Sequence, residues 1–151
     1  MLLYSDKMVE MSKKVGIEYY DYCMNNKMYP QALVMAKKYG LSEERVREAG
    51  RKGYDYYMSN EEYLEALVMA EDAKLGEHYV KKAGRKGYDY YLRNKHYLEA
   101  LIIAKNAGLG EDKINLAKLL VEGKAIAYLN EITLNGKKIP VLLVYGEGEQ
   151  E

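Results

Sequence analysis

The chain has no tryptophan and no phenylalanine, only two prolines, and a single cysteine. Each absence narrows what the molecule can be. One thiol, Cys23, excludes an internal disulfide framework and fits a reducing, cytoplasmic compartment. There is no run of about 18 apolar residues, so no membrane-spanning helix is expected. The opening "MLLYSDK" is too short and too soon charged for a signal peptide. Net charge is missing as well: 23 basic and 23 acidic side chains cancel. No global field therefore draws the chain onto nucleic acid or an anionic membrane, although a local basic patch stays open. Two glutamines among 151 residues, beside abundant lysine and glutamate, lean toward a thermophile. The length suits one domain able to bury a core without staples.

What the chain does have is tyrosine, 17 in all, standing where most cores would use phenylalanine. Such rings are expected half-buried, with the hydroxyl reaching water or a partner. Nine letters, "AGRKGYDYY", occur at 49–57 and return unchanged at 83–91. Sliding the sequence by 34 aligns three copies without a gap, beginning at Tyr20, Tyr54 and Tyr88. A period of this size marks an array of supersecondary units, each too small to bury its own apolar face.

Each unit reads as two helices, expected at 43–58, 61–73, 77–92 and 96–107. In the first helix, Val46, Ala49, Gly53 and Tyr56 share a face. In the second, Tyr63, Ala66, Leu67, Ala70 and Ala73 do so. Asn60 is expected to cap the second helix, ahead of two glutamates. Leu41, Leu75 and Leu109 recur at its end, as the apolar contact of a glycine-type stop does. Pro30 fits a first helical turn. A glycine inside a helix costs about 1 kcal/mol relative to alanine. The pairs Gly50/Gly53 and Gly84/Gly87 are therefore expected to admit close approach to Ala66 and Ala100, with Gly53 the less replaceable of its pair.

These residues resemble the tetratricopeptide repeat (TPR) family, a 34-residue helix–turn–helix. Gly53 with Tyr56, Gly87 with Tyr90, Ala66 with Ala73, and Ala100 with Ala107 fit its pattern. The departures are Ala49 at the family's tryptophan, Lys52 at its leucine and Ala70 at its second-helix aromatic. There is also no closing proline, the turn is one residue longer, and Tyr19 stands at the first copy's glycine. The resemblance covers residues 12–120. It implies a mainly α fold, a short α-solenoid of three TPR-like hairpins with a concave, peptide-binding groove lined by first helices. On this chain the groove would carry Arg47, Arg51, Tyr54, Tyr57 and Met58 from one unit. The next would supply Lys81, Arg85, Tyr88, Tyr91 and Leu92. The asparagine of the carboxylate clamp known in some members is replaced by Tyr54 and Tyr88.

The last unit is atypical, as capping units are. "EDKINLAKLLV" reads as a capping helix that either continues through Gly123 or gives way to strand at 125–129. "ITLNGKKIPVLLVY" then places Asn-Gly between β-prone runs, so strands are expected at 131–134 and 137–145. Pro140 suits an edge strand or a bulge. The domain scheme is a helical repeat domain over 1–130, a β-hairpin over 131–145 and a disordered tail over 146–151.

Catalytic chemistry finds little footing. "GRKG" spells the Gly-x-x-Gly of KH loops, but it lies inside a helical pattern with no flanking strand. His78 and His96 lack cysteine or carboxylate company for a metal set. Glu65 and Glu99 repeat without paired histidines, and Cys23 aligns with Tyr57 and Tyr91 as a packing position would. No enzyme activity, metal or cofactor is expected. Two functions remain. One is a scaffold or adaptor that binds a peptide segment or its own copy, the latter through the C-terminal hairpin. The other is a single-strand RNA or DNA binder, using a ladder of Arg47, Arg51 and Tyr54, repeated as Lys81, Arg85 and Tyr88, with Lys13 and Tyr20 as a partial third copy. Against the ladder stand Arg51–Asp55 and Arg85–Asp89 at i,i+4 spacing, which suit a solvated face.

Overall fold

A computed structural model describes residues 4–134 and 136–146, falling into two compact units, Met1–Val80 and Lys81–Glu151. Among the described residues the fold is mainly helical. The helices are α1 (Tyr4–Asn25), α2 (Tyr29–Lys38), α3 (Glu43–Ser59), α4 (Tyr63–Asp72), α5 (Glu77–Arg93), α6 (Tyr97–Asn106) and α7 (Glu111–Val121). Two strands follow, β1 (Ala125–Leu134) and β2 (Lys137–Gly146). The first unit holds α1 to α4 and the opening turn of α5. The second holds the rest of α5 and everything after it.

The turns explain where the helices stop. Lys27, Glu61 and Lys95 sit in the left-handed region, with φ of 57°, 61° and 59°, and so cannot extend a right-handed helix. Just before them, Asn26, Asn60 and Asn94 each donate a side-chain N–H to a tyrosine carbonyl four residues back, at 2.7, 2.9 and 2.8 Å. Asn60 therefore closes α3 instead of opening α4, which begins at Tyr63 with no side-chain cap. Glutamates 61 and 62 belong to the turn. Second helices end by a different device. Leu41, Leu75 and Leu109 donate backbone N–H to the carbonyls of Ala36, Ala70 and Ala104 at 2.9 to 3.0 Å, across left-handed Gly40, Lys74 and Gly108. Six residues thus close on themselves, satisfying carbonyls the helix would leave open.

Within each hairpin the first helix lies against the end of its second. A Cβ on Gly50 would run into that of Ala73, and a Cβ on Gly84 into that of Ala107. On Gly16 it would come 2.6 Å from the Tyr39 ring. The close approach predicted from glycine is real, but at Gly50 and Gly84 its partner is the residue that caps the second helix, not Ala66 or Ala100. It also reverses the order within the pair. Gly50 opposes a rigid methyl, whereas Gly53 opposes the movable end of Met69 at 2.5 Å and the Tyr29 Cβ at 2.9 Å.

In the second unit α7 stops at Val121 because Gly123, at φ +71°, turns the chain. The ambiguous stretch 125–129 is strand. β1 and β2 pair antiparallel from Ala125 opposite Gly146 to Leu134 opposite Lys137, with Pro140 facing Glu131. Asn135 and the tail residues 147–151 lie outside the described residues. So do the side chains at 126–134 and 139–145, and with them the expectation that "PVLLVY" packs on the helices or on a second chain.

Candidate protein-binding surfaces

Three tyrosines 34 residues apart make the same bond. Tyr20 donates its hydroxyl to the Arg45 carbonyl at 2.8 Å, Tyr54 to that of Tyr79 at 3.1 Å, and Tyr88 to that of Lys113 at 3.0 Å. Each bond ties a first helix to the first helix of the following hairpin: α1 to α3, α3 to the start of α5, and α5 to α7. The rings are only 2% exposed. Tyr54 meets Tyr79 edge-on, with centroids 5.0 Å apart, and the Lys113 ammonium sits 4.8 Å from the Tyr88 centroid. Burial, and after it the neighbouring Asp55 and Asp89, pushes the Tyr54 and Tyr88 hydroxyls up to about 12. Tyr20 is raised by burial too, with Glu48 adding to the shift.

This arrangement corrects the groove expected from the sequence. Tyr54, Tyr88, Tyr91 and Leu92 are inside the fold and unavailable to a partner. The physical reason is that α3 is touched from several sides. On α3, Gly53 and Tyr56 meet Tyr29 of α2, Gly50 meets Ala73 beyond α4, and Tyr54 meets α5. Tyr56, expected to pack, keeps 37% of its surface open. A single periodic stripe cannot describe such a helix.

The remaining expected residues scatter. Lys81 donates its ammonium to the carbonyls of Ala107 and Gly108, closing the C-terminal end of α6, where a cation is favoured. Arg85 is exposed and Met58 half-buried. Arg47 and Arg51 line a cleft of about 650 Å³ on α3 together with Lys52. Glu44, Glu48 and Asp55 stand between them, so the basic side chains are interleaved with carboxylates. The exposed ion pair formed on this helix is Lys52 with Glu48 at 3.1 Å, not Arg51 with Asp55.

Tyr57 leads elsewhere. It is half-buried, and burial followed by Glu62 and Glu65 raises its hydroxyl. Its ring lines a groove of about 270 Å³ whose walls come from α2 and α4. Pro30, Leu33 and Val34 form one wall, and Leu64, Val68 and Met69 the other. Lys37, Glu65 and Asp72 line it too, so the groove carries both charge signs. Val34 and Val68 are 55% and 51% exposed, high for β-branched apolar residues on well-formed helices. In the second unit Leu98 and Ile102 of α6 are open in the same way.

The sequence carried a signal for this surface. "ALVMA" at 32–36 and 66–70, and "ALIIA" at 100–104, are apolar all round, so each second helix has more apolar surface than one packing stripe uses. Among the described residues, no cluster of three His, Cys, Asp or Glu side chains is placed to hold a metal, and no helix is long and apolar enough to cross a membrane. Comparison with family models, with curated proteins and with solved structures found no match.

Proposed function

We propose that the chain is a non-catalytic interaction module of TPR-like helical hairpins, a scaffold or adaptor that takes a peptide segment on the outer face of its second helices. The observation carrying this reading is the α2–α4 groove, where exposed Val34 and Val68 flank Pro30, Leu33, Leu64 and Tyr57. An apolar cleft with a polar rim is the anatomy of a peptide-anchoring site, and a half-buried tyrosine suits an interface anchor. The lining charges, Lys37 with Glu65 and Asp72, would orient a segment bearing both signs. Single-strand nucleic acid is less well served. The tyrosines of its ladder are buried, and Arg47 and Arg51 alternate with carboxylates that would repel phosphate.

A displayed random-peptide library selected on the full chain tests the proposal. Selected peptides should carry two or more apolar anchors, and Val34→Glu with Val68→Glu should weaken them by at least about tenfold. Binding should respond weakly to salt. A ligand contacting six phosphates would instead lose roughly a thousandfold between 50 and 200 mM salt. Selection of no peptide, with steep salt-dependent capture of an oligonucleotide, would overturn the assignment.

A further inference from the structure

Helix α1 is exposed on every side over residues 6–15, Val9 included, and keeps one apolar face open from there to Tyr22. Met8, Met11, Val15, Tyr19 and Tyr22 fall three or four residues apart and so share one stripe. All five are exposed, from 44% at Tyr19 to 69% at Met11. Tyr19 and Tyr22 stack on each other with centroids 6.0 Å apart. The matching positions of α3, 34 residues on, show what such a face is for. There Ala49 and Gly53 are buried, and Gly53 and Tyr56 lie against Tyr29 of α2. Among the described residues no second helix covers α1 in this way. The side chains differ accordingly. Alanine and glycine let α2 come close, whereas valine, methionine and tyrosine suit the wider spacing of two helices that interlock side chains.

We propose that this face docks a second copy of the same chain, α1 against α1, antiparallel. The charges beside the stripe select that occupant. Along one flank, all exposed, Lys7 and Lys14 lie toward the N-terminus and Glu18 and Asp21 toward the C-terminus, with Glu10 farther round from the stripe than any of them. About a twofold axis near Val15, Lys7 of one copy meets Asp21 of the other, and Lys14 meets Glu18. That makes four opposite-sign pairs. A parallel pair would carry the two charged flanks to opposite sides of the seam, where they could not meet. The stripe repeats the same symmetry, with Met8 opposite Tyr22, Met11 opposite Tyr19, and Val15 opposite itself. From Met8 to Tyr22 the stripe runs only about 21 Å. Its area therefore falls at the small end of stable interfaces, and the dimer should be weak and concentration-dependent. It shares no residue with the α2–α4 groove, so the two proposals stand or fall separately.

Sedimentation equilibrium of the full chain across a concentration series reads the outcome. The mass should rise toward twice the monomer, and Val15→Lys should shift the dissociation constant upward by at least about tenfold while leaving helical content unchanged. Lys14→Glu and Glu18→Lys should each weaken association, and combining them should restore it, because the pairs are then merely exchanged. A chain that remains monomeric throughout would overturn the proposal. So would a dimer indifferent to Val15→Lys, or one that the double exchange fails to rescue. If Val15→Lys instead abolishes peptide capture by a monomer, the face belongs to a peptide and the proposal is wrong.

Discussion

Helices α1 and α3 read the same positions of one pattern and meet different neighbours. Toward its own second helix each carries a glycine, Gly16 or Gly50, where a Cβ would collide with Tyr39 or Ala73. Toward the preceding second helix they part company. There α3 shows Ala49 and Gly53 beneath α2, and α1 shows Val15 and Tyr19 to solvent. Small residues thus mark where backbones must approach, and the pattern relaxes to large ones where no helix among the described residues comes near. The comparison separates two roles that one repeated segment had seemed to share. The glycine contact belongs to the hairpin, and the alanine–glycine contact to stacking.

The largest effect should come from breaking the hairpin contact. Gly50→Val forces a branched side chain into the methyl of Ala73 and should cost about 3 kcal/mol. Gly16→Val should be comparably harmful, because α1 keeps this contact. Gly53→Val should cost less, about 2 kcal/mol, since the Met69 terminal methyl can swing aside and only the looser 2.9 Å approach of the Tyr29 Cβ must give. Urea unfolding of the three variants checks the ranking, and Gly53→Val as the worst of them would break it.

Next in size is the link between successive first helices. Tyr54→Phe and Tyr88→Phe each remove a buried hydroxyl-to-carbonyl bond, worth about 1 kcal/mol. The same groups give stability a pH dependence. In the unfolded chain a tyrosine ionises near 10, whereas in the fold Tyr54 and Tyr88 hold their protons to about 12. Between those values the folded state binds more protons than the unfolded one, so stability is fully present below 10 and falls as pH rises toward 12. The Tyr20→Phe, Tyr54→Phe, Tyr88→Phe triple variant should show a flatter decline in chemical denaturation over this window. A decline as steep as in the parent chain would remove the tyrosines from the explanation. Smallest of all should be Val15→Ala, within about 0.5 kcal/mol at dilutions where the chain is monomeric. A loss comparable to Gly16→Val would mean that α1 is covered after all.

Much of this was legible in the letters. The 34-residue spacing placed the helices to within two residues, and the recurring leucines marked where second helices end. The readings that failed did so for physical reasons. Asn60 was assigned to the wrong helix because asparagine serves both ends, and only the left-handed Glu61 reveals which. Tyr54 and Tyr88 were placed in a groove because a tyrosine's ring and hydroxyl fit a wet interface as well as a buried bond to a carbonyl. The stripe Val46, Ala49, Gly53, Tyr56 seemed to exhaust α3's packing, and contacts from α5 are long-range facts that periodicity within one helix does not encode. The open face of the second helices was visible in "ALVMA" and "ALIIA", but it registers only when one asks how many apolar sides a helix needs.

The claim at the centre is that the twice-written "AGRKGYDYY" is mainly packing, with its last tyrosine alone reaching the groove, and that recognition lies chiefly on the second helices. Thermal melts followed by circular dichroism test it most directly, with Tyr54→Ala/Tyr88→Ala set beside Val34→Glu/Val68→Glu. Deleting each buried ring should cost roughly 3 kcal/mol or more, so the first variant should melt far below the parent chain or lose its cooperative transition. The second should melt close to the parent chain while losing peptide capture. A tyrosine variant that keeps its melt and its helix content but no longer binds peptide would contradict the claim and return the binding site to the repeated segment.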